Sequence, residues 1–133
     1  MQDRPEATDL LEAVEDFLRG QSNAAPDRWL RFQLLVAANT LGIVRREMLY
    51  EDGYLREEWA RLDDLLGAEP IPGTPAEFTA AARLRNDELC ERIRAGAFDD
   101  REAEAQLTAH LWRTITDQVR ITNPGVLGAG RPG

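Results

Sequence analysis

Apolar residues recur at helical spacing along most of this chain, and no segment sustains the two-residue alternation of a strand. Five segments carry the helical pattern, and capping residues, prolines or glycines bound each of them. The first predicted helix runs from a cap at Thr8 to Gly20, and the next three run from Pro26 to Glu51, from Tyr54 to Leu66 and from Thr74 to Ala95. The last runs from a cap at Asp99 or Asp100 to Thr122. The pattern therefore predicts an all-α, single-domain bundle of about five helices.

The second predicted helix carries more apolar surface than a small bundle needs. At about 100° per residue, its first face holds Leu30, Leu34, Ala37, Leu41, Val44 and Met48. Phe32, Val36 and Ile43 fall on a second face, nearly opposite the first, together with Asn39 and Arg46. A helix that is apolar on two faces either lies at the centre of its domain or buries one face there and presents the other to a partner. We expect this helix to be the central element of the bundle.

The breaks between the helices are short, so we predict one helical domain over residues 1–124. Asp52-Gly53 is a turn signal, and it predicts the end of the second helix. Residues 68–73 contain two prolines and a glycine, which exclude a helix but form too short a segment to separate domains. Residues 125–133 are rich in glycine and proline, and we predict that they form a flexible tail.

Charge and composition narrow the classes of partner and location. The net charge is −8, and all sixteen basic residues are arginine. Nucleic acids and anionic membranes require a basic surface, so we expect neither as a partner. The sequence has no apolar run of about 18 residues that would span a membrane, and its N-terminus lacks the pattern of a signal peptide. With a single cysteine as well, the chain is predicted to be cytoplasmic.

Residues suited to catalysis or metal binding are sparse. Cys90 and His110 are the only cysteine and histidine, and they lie on different predicted helices, so a zinc site is not expected. Ser22 is the only serine and has no histidine near it in sequence, and the chain has no lysine to act as a nucleophile. We predict no catalytic residue, no cofactor and no metal, and hence a protein that is not an enzyme.

Several polar residues are candidates for contact with a partner. Asn39 must find hydrogen bonds if it is buried in an apolar helix, so it either pairs with a neighbouring helix or belongs to a partner surface. Arg85, Asn86 and Arg94 either form intramolecular ion pairs and hydrogen bonds or meet an acidic partner. The predicted partner-binding residues are Phe32, Val36, Asn39, Ile43, Arg46, Arg85, Asn86 and Arg94.

Short motifs with a fixed order and spacing resemble those of a bacterial protein family. They are Gln2-Asp3-Arg4-Pro5, Arg31-Phe32, Val36-Ala37-Ala38-Asn39, Ile43-Val44-Arg45-Arg46-Glu47, Asn86 with Leu89, Ile93-Arg94-Ala95-Gly96 and Asn123-Pro124. The family comprises small helical proteins of unassigned biochemical role, encoded beside aminoglycoside-phosphotransferase-like kinases and acyl-CoA dehydrogenases. The resemblance implies a small subunit that works with such a kinase, in some members on hydroxyacyl-CoA intermediates. It supplies no catalytic residues to transfer to this chain.

These features support two hypotheses for the function. The first is a non-catalytic accessory subunit that binds and stabilises or activates a phosphotransferase-like kinase through the second face of the central helix. The alternative is a self-contained homodimeric helical module, in which the same face meets its own copy across a two-fold axis. Such a module could hold a small apolar ligand between its helices.

Overall fold

A computed structural model of the chain describes residues 5–129, and all regular structure within that range is helical. In chain order the helices are α1 (Ala7–Asn23), α2 (Arg28–Leu66), α3 (Pro75–Arg94), α4 (Arg101–Thr122) and α5 (Pro124–Ala129). The prediction of an all-α fold with about five helices is confirmed. The five helices are, however, not the five that the pattern predicted.

The second and third predicted helices form one continuous helix, α2. Gly53 lies inside this helix and does not adopt a positive φ, so the predicted turn at Asp52-Gly53 is wrong. An internal glycine weakens a helix by about 1 kcal/mol but does not stop it when helix-forming residues come after it. The helix ends at Leu66, where Gly67 takes a φ of 110° in the left-handed region that favours glycine.

The predicted starts of the two later helices are confirmed. The Thr74 side chain accepts a hydrogen bond from the Glu77 backbone N–H at 3.2 Å, and Pro75 is the first residue of α3. The Asp100 side chain accepts a hydrogen bond from the Ala103 backbone N–H at 2.9 Å, which caps α4. In both places the local capping chemistry was sufficient to locate the helix.

Helix α1 extends beyond both of its predicted ends. Its cap is Glu6, whose backbone N–H donates to the Asp9 carboxylate at 3.2 Å, so the prediction of Thr8 as the cap is wrong. The helix also continues through Gly20 to Asn23. Gly20 keeps a helical conformation, and it therefore provides no stop signal.

The predicted flexible tail begins with regular structure. Residues Pro124–Ala129 form the short helix α5, with proline at the first position, where its missing N–H is tolerated. The predicted end of the preceding helix at Asn123-Pro124 agrees with the end of α4 at Thr122. Residues 130–133 of the predicted tail, and the Gln2-Asp3-Arg4 part of the first family motif, lie outside the described residues.

The helices pack as two compact units. Unit 1 is described over residues 5–52 and 120–129, and contains α1, the first part of α2, the end of α4 and α5. Unit 2 comprises Gly53–Val119, and contains the rest of α2, helix α3 and most of α4. The helix that was expected to lie at the centre of one bundle thus contributes to two units.

Unit 2 has a small apolar core in two clusters. The first consists of Trp59, Phe78 and Ala82, and the indole of Trp59 packs edge-on against the Phe78 ring at a centroid distance of 5.3 Å. The second consists of Leu62, Leu89 and Leu107. All six residues belong to the third, fourth and fifth predicted helices, and the apolar helical spacing of each of those helices predicts that they face inward.

Helix α4 turns polar side chains inward in unit 2. His110 and Asp117 are each 4% exposed, and Thr114 is half-buried. Arg61 of α2 reaches this stripe, donating from Nε to His110 Nδ1 and from Nη2 to Thr114 Oγ1, both at 3.1 Å. Because Nδ1 of His110 accepts a hydrogen bond, its imidazole is neutral.

Along α4, Leu107, Leu111, Ile115 and Val119 recur every four residues, a pattern that predicts that all four face inward, and this prediction is partly wrong. Leu111 and Ile115 are 41% and 52% exposed. A repeat of four residues exceeds the helical turn of about 3.6 residues, so successive members drift around the helix away from the buried side. The buried line instead passes through Leu107, His110 and Asp117, with spacings of three and seven residues.

Arg85 organises the turn at the C-terminal end of α2. It is 3% exposed, and its guanidinium donates to Asp63 Oδ1 at 2.7 Å and to the Gly67 carbonyl at 2.6 Å. The same group lies over the Trp59 ring, 4.5 Å from its centroid. The hydrogen bond from Arg85 holds the pKa of Asp63 below its usual value. Arg85 is therefore a structural residue of unit 2.

We expect Arg85→Ala to lower the free energy of unfolding by about 2–4 kcal/mol, because the Gly67 carbonyl and the Asp63 carboxylate lose a buried donor and the Trp59 ring loses its cation partner. Urea denaturation followed by circular dichroism measures the change. Arg83→Ala on the same helix is the control; Arg83 is exposed, and its loss should change stability by no more than about 0.5 kcal/mol. Equal stability of the two variants would contradict this role for Arg85.

Burial and the neighbouring Arg61 guanidinium lower the pKa of His110 from its ordinary 6.5. His110 therefore binds a proton more readily in the unfolded chain than in the folded chain. Its contribution to the free energy of unfolding is fully present above about pH 6.5 and declines as the pH falls. We expect the free energy of unfolding in urea to fall between pH 7 and about pH 5.5.

His110→Gln is the matched variant, since glutamine can still accept from Arg61 but does not titrate. His110 is the only histidine, so the decline over this window should be smaller in the variant than in the parent chain. Identical pH dependence in both proteins would show that His110 is not the titrating group.

Candidate functional site

The candidate site is built on the close packing of α1 against α2 in unit 1. Helix α1 ends at Asn23 and α2 begins at Arg28, so their short connection makes them an antiparallel helical hairpin. Ala38 and Gly42 of α2 are buried in the contact. A Cβ atom at Gly42 would lie only 2.9 Å from Glu15 Oε1 of α1. The small residues of α2 thus permit the approach of α1.

Glu15 joins the two helices through a polar network. It is 7% exposed, and its carboxylate accepts from Arg19 Nη2 at 3.2 Å and from Arg45 Nε of α2 at 3.3 Å. Arg19 Nη2 also donates to Asn39 Oδ1 at 2.9 Å. Asn39 therefore pairs with a neighbouring helix, the first of the two possibilities that its sequence position allowed, although its side chain stays exposed.

A pocket of about 350 Å³ lies beside this network, where α1 and α2 meet the junction between α4 and α5. Its lining residues are Arg19, Asn39, Arg46, Thr122, Asn123, Pro124 and Gly125. Arg46 Nε donates to the Ile121 carbonyl at 2.7 Å and so satisfies an acceptor in the last turn of α4. Two arginines and two asparagines line the pocket, and the N–H donors of such side chains match the oxygens of a carboxylate or phosphate.

Exposed aromatic residues lie on α2 between the pocket and the N-terminal end of the helix. The rings of Trp29 and Phe32 stack with a centroid distance of 6.0 Å, and the two residues are 67% and 57% exposed. Val36 is also exposed, whereas Ile43 and Arg46 are half-buried. The second face of α2 is thus open at Phe32 and Val36 and partly covered at Ile43.

The first face of α2, which the pattern predicted as the buried one, is also largely open. Leu30, Val44 and Met48 are exposed, so that part of the prediction is wrong. At about 100° per residue, Ala38 and Gly42 lie between the two apolar faces. Because α1 packs along these small residues, the larger side chains on either side are left at the flanks of the contact.

The three remaining predicted partner residues lie on α3 in unit 2, and two of them serve the fold. Arg85 is buried against Asp63, Gly67 and Trp59, and the Asn86 amide donates to Glu58 Oε1 at 3.2 Å and to the Ala82 carbonyl at 3.0 Å. Arg94 is exposed and pairs with a glutamate one turn earlier on the same helix. The intramolecular interpretation therefore accounts for the contacts of all three residues.

Sequence reasoning missed most of the pocket. Glu15 offered one signal, since a carboxylate within the apolar stripe between Leu11 and Leu18 needs buried partners if the stripe is packed. Its pairing with Arg19 was visible from their spacing of four residues, but its pairing with Arg45 was not. The residues of the α4–α5 junction carry no local signal of a site, because only the tertiary fold brings them to α2.

A family model described as a domain of unknown function, DUF6285, matches residues 24–126. The chain belongs to this family. No curated protein and no solved structure matches the sequence of this chain. The matched range includes α2, α3 and α4 and every pocket residue except Arg19. The α2 side of the pocket and the α4–α5 junction therefore belong to the DUF6285 domain, whereas Arg19 and Glu15 on α1 precede the matched range.

Two further observations apply to the range 5–129. That range contains no group of three or more histidine, cysteine, aspartate or glutamate side chains that could hold a metal ion. None of its helices combines the length and the apolar character needed to cross a membrane.

Proposed function

We propose that this protein is a non-catalytic accessory subunit that binds and stabilises or activates an aminoglycoside-phosphotransferase-like kinase. The observation that supports this proposal is the open aromatic surface of Trp29 and Phe32 on the same unit as a pocket containing Arg19 and Arg46. The identity of the partner comes from the resemblance of the sequence motifs alone. That resemblance also implies a place in the breakdown of hydroxyacyl-CoA compounds.

The aromatic surface has the composition of an interface anchor. More than half of the surface of Trp29 and of Phe32 is exposed, and burial of apolar surface contributes roughly 25 cal/mol per Å². Tryptophan and arginine are enriched among residues that dominate binding energy. Val36 extends the same apolar surface, so a partner helix or strand could cover all three side chains together.

The pocket would supply the specificity of the contact. The protein carries a net charge of −8, so an acidic partner surface is repelled by most of it. Arg19 and Arg46 provide a local exception, and a carboxylate of the kinase would match their guanidinium groups. The polar lining of this pocket also does not favour the alternative of a small apolar ligand.

Phosphoryl transfer would belong to the kinase. Enzymes that transfer a phosphoryl group from ATP use a glycine-rich phosphate-binding loop and a lysine, together with bound magnesium. This chain has no lysine. Its contribution is then to bind the folded kinase, which stabilises the bound conformation by mass action.

The test is co-purification of this protein with the phosphotransferase-like kinase encoded beside it. We expect a complex at micromolar concentration, and we expect Phe32→Asp to weaken binding at least tenfold, because it places a carboxylate in an apolar contact. Phe32 is exposed, so circular dichroism of the variant should match that of the parent.

Trp112→Asp is the matched control for this test. Trp112 is 73% exposed on α4 in unit 2, and its replacement makes the same change from aromatic to acidic. We expect it to bind the kinase as the parent does. Failure of the parent to bind the kinase or to change its activity would refute the proposal. Equal loss of kinase binding in both variants would refute the assignment of the contact to Trp29, Phe32 and Val36, which we call the Phe32 surface.

A further inference from the structure

An uncovered apolar face lies on the α1–α2 hairpin of unit 1, apart from the pocket and the Phe32 surface. We define the hairpin face by six exposed residues: Leu10, Val14 and Phe17 of α1, and Leu30, Val44 and Met48 of α2. Their exposed fractions range from 38% at Leu30 to 63% at Phe17. The assignment of this face to one side of the hairpin depends on the register of the two helices.

The hydrogen bond between Arg19 and Asn39 fixes that register. In an antiparallel pair, each step back along α1 corresponds to a step forward along α2. Three pairs of apolar residues therefore lie level with one another: Phe17 with Leu41, Val14 with Val44, and Leu10 with Met48. These levels are spaced by three or four residues, which is one helical turn.

The same hydrogen bond identifies the side of the hairpin on which these pairs lie. Arg19 and Asn39 meet on one flank of the α1–α2 contact, the flank that holds the pocket. At about 100° per residue, Val14 lies on the other flank of α1 and Phe17 lies on the same side about 160° from the buried Glu15, toward the outer side of the helix. Val44 lies on the other flank of α2. The apolar residues of the two helices thus form one continuous surface on the side away from the pocket.

Arg45 is the one charged residue on the flanks of the hairpin face between residues 7 and 21 of α1 and residues 30 and 48 of α2, and its guanidinium is paired with the buried Glu15 at 3.3 Å. The remaining side chains on these flanks are Ala7, Gln21, Gln33, Leu34, Ala37 and Leu41. In a chain of which 30% of the residues are charged, the acidic residues of α1 all lie elsewhere on the helix. Because the charge of Arg45 is already paired with Glu15, a charged partner finds no unpaired charge on this face.

We propose that the hairpin face is the interface of a homodimer, in which two α1–α2 hairpins form a four-helix bundle. A helical hairpin that is apolar along one side is half of such a bundle, and a two-fold axis supplies the other half. Two copies that each carry a net charge of −8 repel one another, so a second copy requires a contact surface free of unpaired charge. The hairpin face satisfies that requirement.

The size of the face also fits a second copy. From the exposed fractions of the six residues, and a full surface of roughly 150–250 Å² for a large side chain, each copy leaves about 600 Å² of side chain uncovered. Complete coverage of this surface on two copies would bury at most about 1,200 Å², which is the lower end of the range for specific, stable interfaces. The pocket and the Phe32 surface lie on the opposite flank, so the dimer would leave both accessible.

Sedimentation velocity or light scattering of the full chain at about 50 µM tests this inference. We expect a mass of two chains of 14.9 kDa each for the parent. Phe17→Asp should raise the dissociation constant at least about 100-fold and give a monomer, because each copy then buries an unpaired carboxylate. Its circular dichroism should be unchanged, since Phe17 is 63% exposed. Should this variant unfold, Leu10→Asp provides the same test on another exposed residue.

Phe32→Asp and Trp112→Asp are the matched controls, and both should remain dimeric. A monomeric parent, or a Phe17→Asp variant that dimerises as tightly as the parent, overturns the inference. Binding of the kinase to monomeric Phe17→Asp, measured by the same co-purification, separates this interface from the proposed partner surface. The measurement of dimerisation therefore tests this interface independently of kinase binding.

Discussion

The ion-pair network of Glu15 with Arg19 and Arg45 is the constraint on which unit 1 depends. A carboxylate that is 7% exposed is tolerated only with such partners, and the partners fix both the distance and the register of α1 on α2. The contact is possible because Gly42 has no side chain to oppose Glu15. It also determines what remains outside: since the helices meet along small residues, the large apolar residues of α2 lie on two flanks and are free to serve two interfaces.

Local chemistry decided which features of the fold could be predicted. The cap at Thr74 and the cap at Asp100 each use groups within three residues, and both helix starts were predicted correctly. Glycine alone was a poor guide, as Gly53 continues α2 whereas Gly67 ends it. The residues on the C-terminal side of each glycine make the difference, since residues 54–66 favour a helix while residues 68–73 contain two prolines.

The site depends on contacts that the sequence pattern does not specify. The sequence identified the apolar character of both faces of α2 and the polar positions Asn39 and Arg46 within one of them. It did not predict that Arg46 would donate to the carbonyl of Ile121, 75 residues later. It also did not predict that the Glu15 carboxylate of α1 would pack against Gly42 of α2. Helical periodicity reports which residues are apolar, whereas the line along which two helices pack depends on where small residues leave room for the side chains of the neighbouring helix.

The most direct test of this packing is a comparison of Gly42→Leu with Gly53→Leu by urea denaturation. Both glycines lie in α2, and leucine gains about 0.8–1 kcal/mol of helix propensity at either position. Nothing lies within 4 Å of a Cβ at Gly53, whereas a Cβ at Gly42 meets the Glu15 carboxylate at 2.9 Å. We expect Gly53→Leu to be at least as stable as the parent and Gly42→Leu to be less stable by about 1–3 kcal/mol. Equal stability of the two variants would show that α1 does not pack closely on α2 at Gly42.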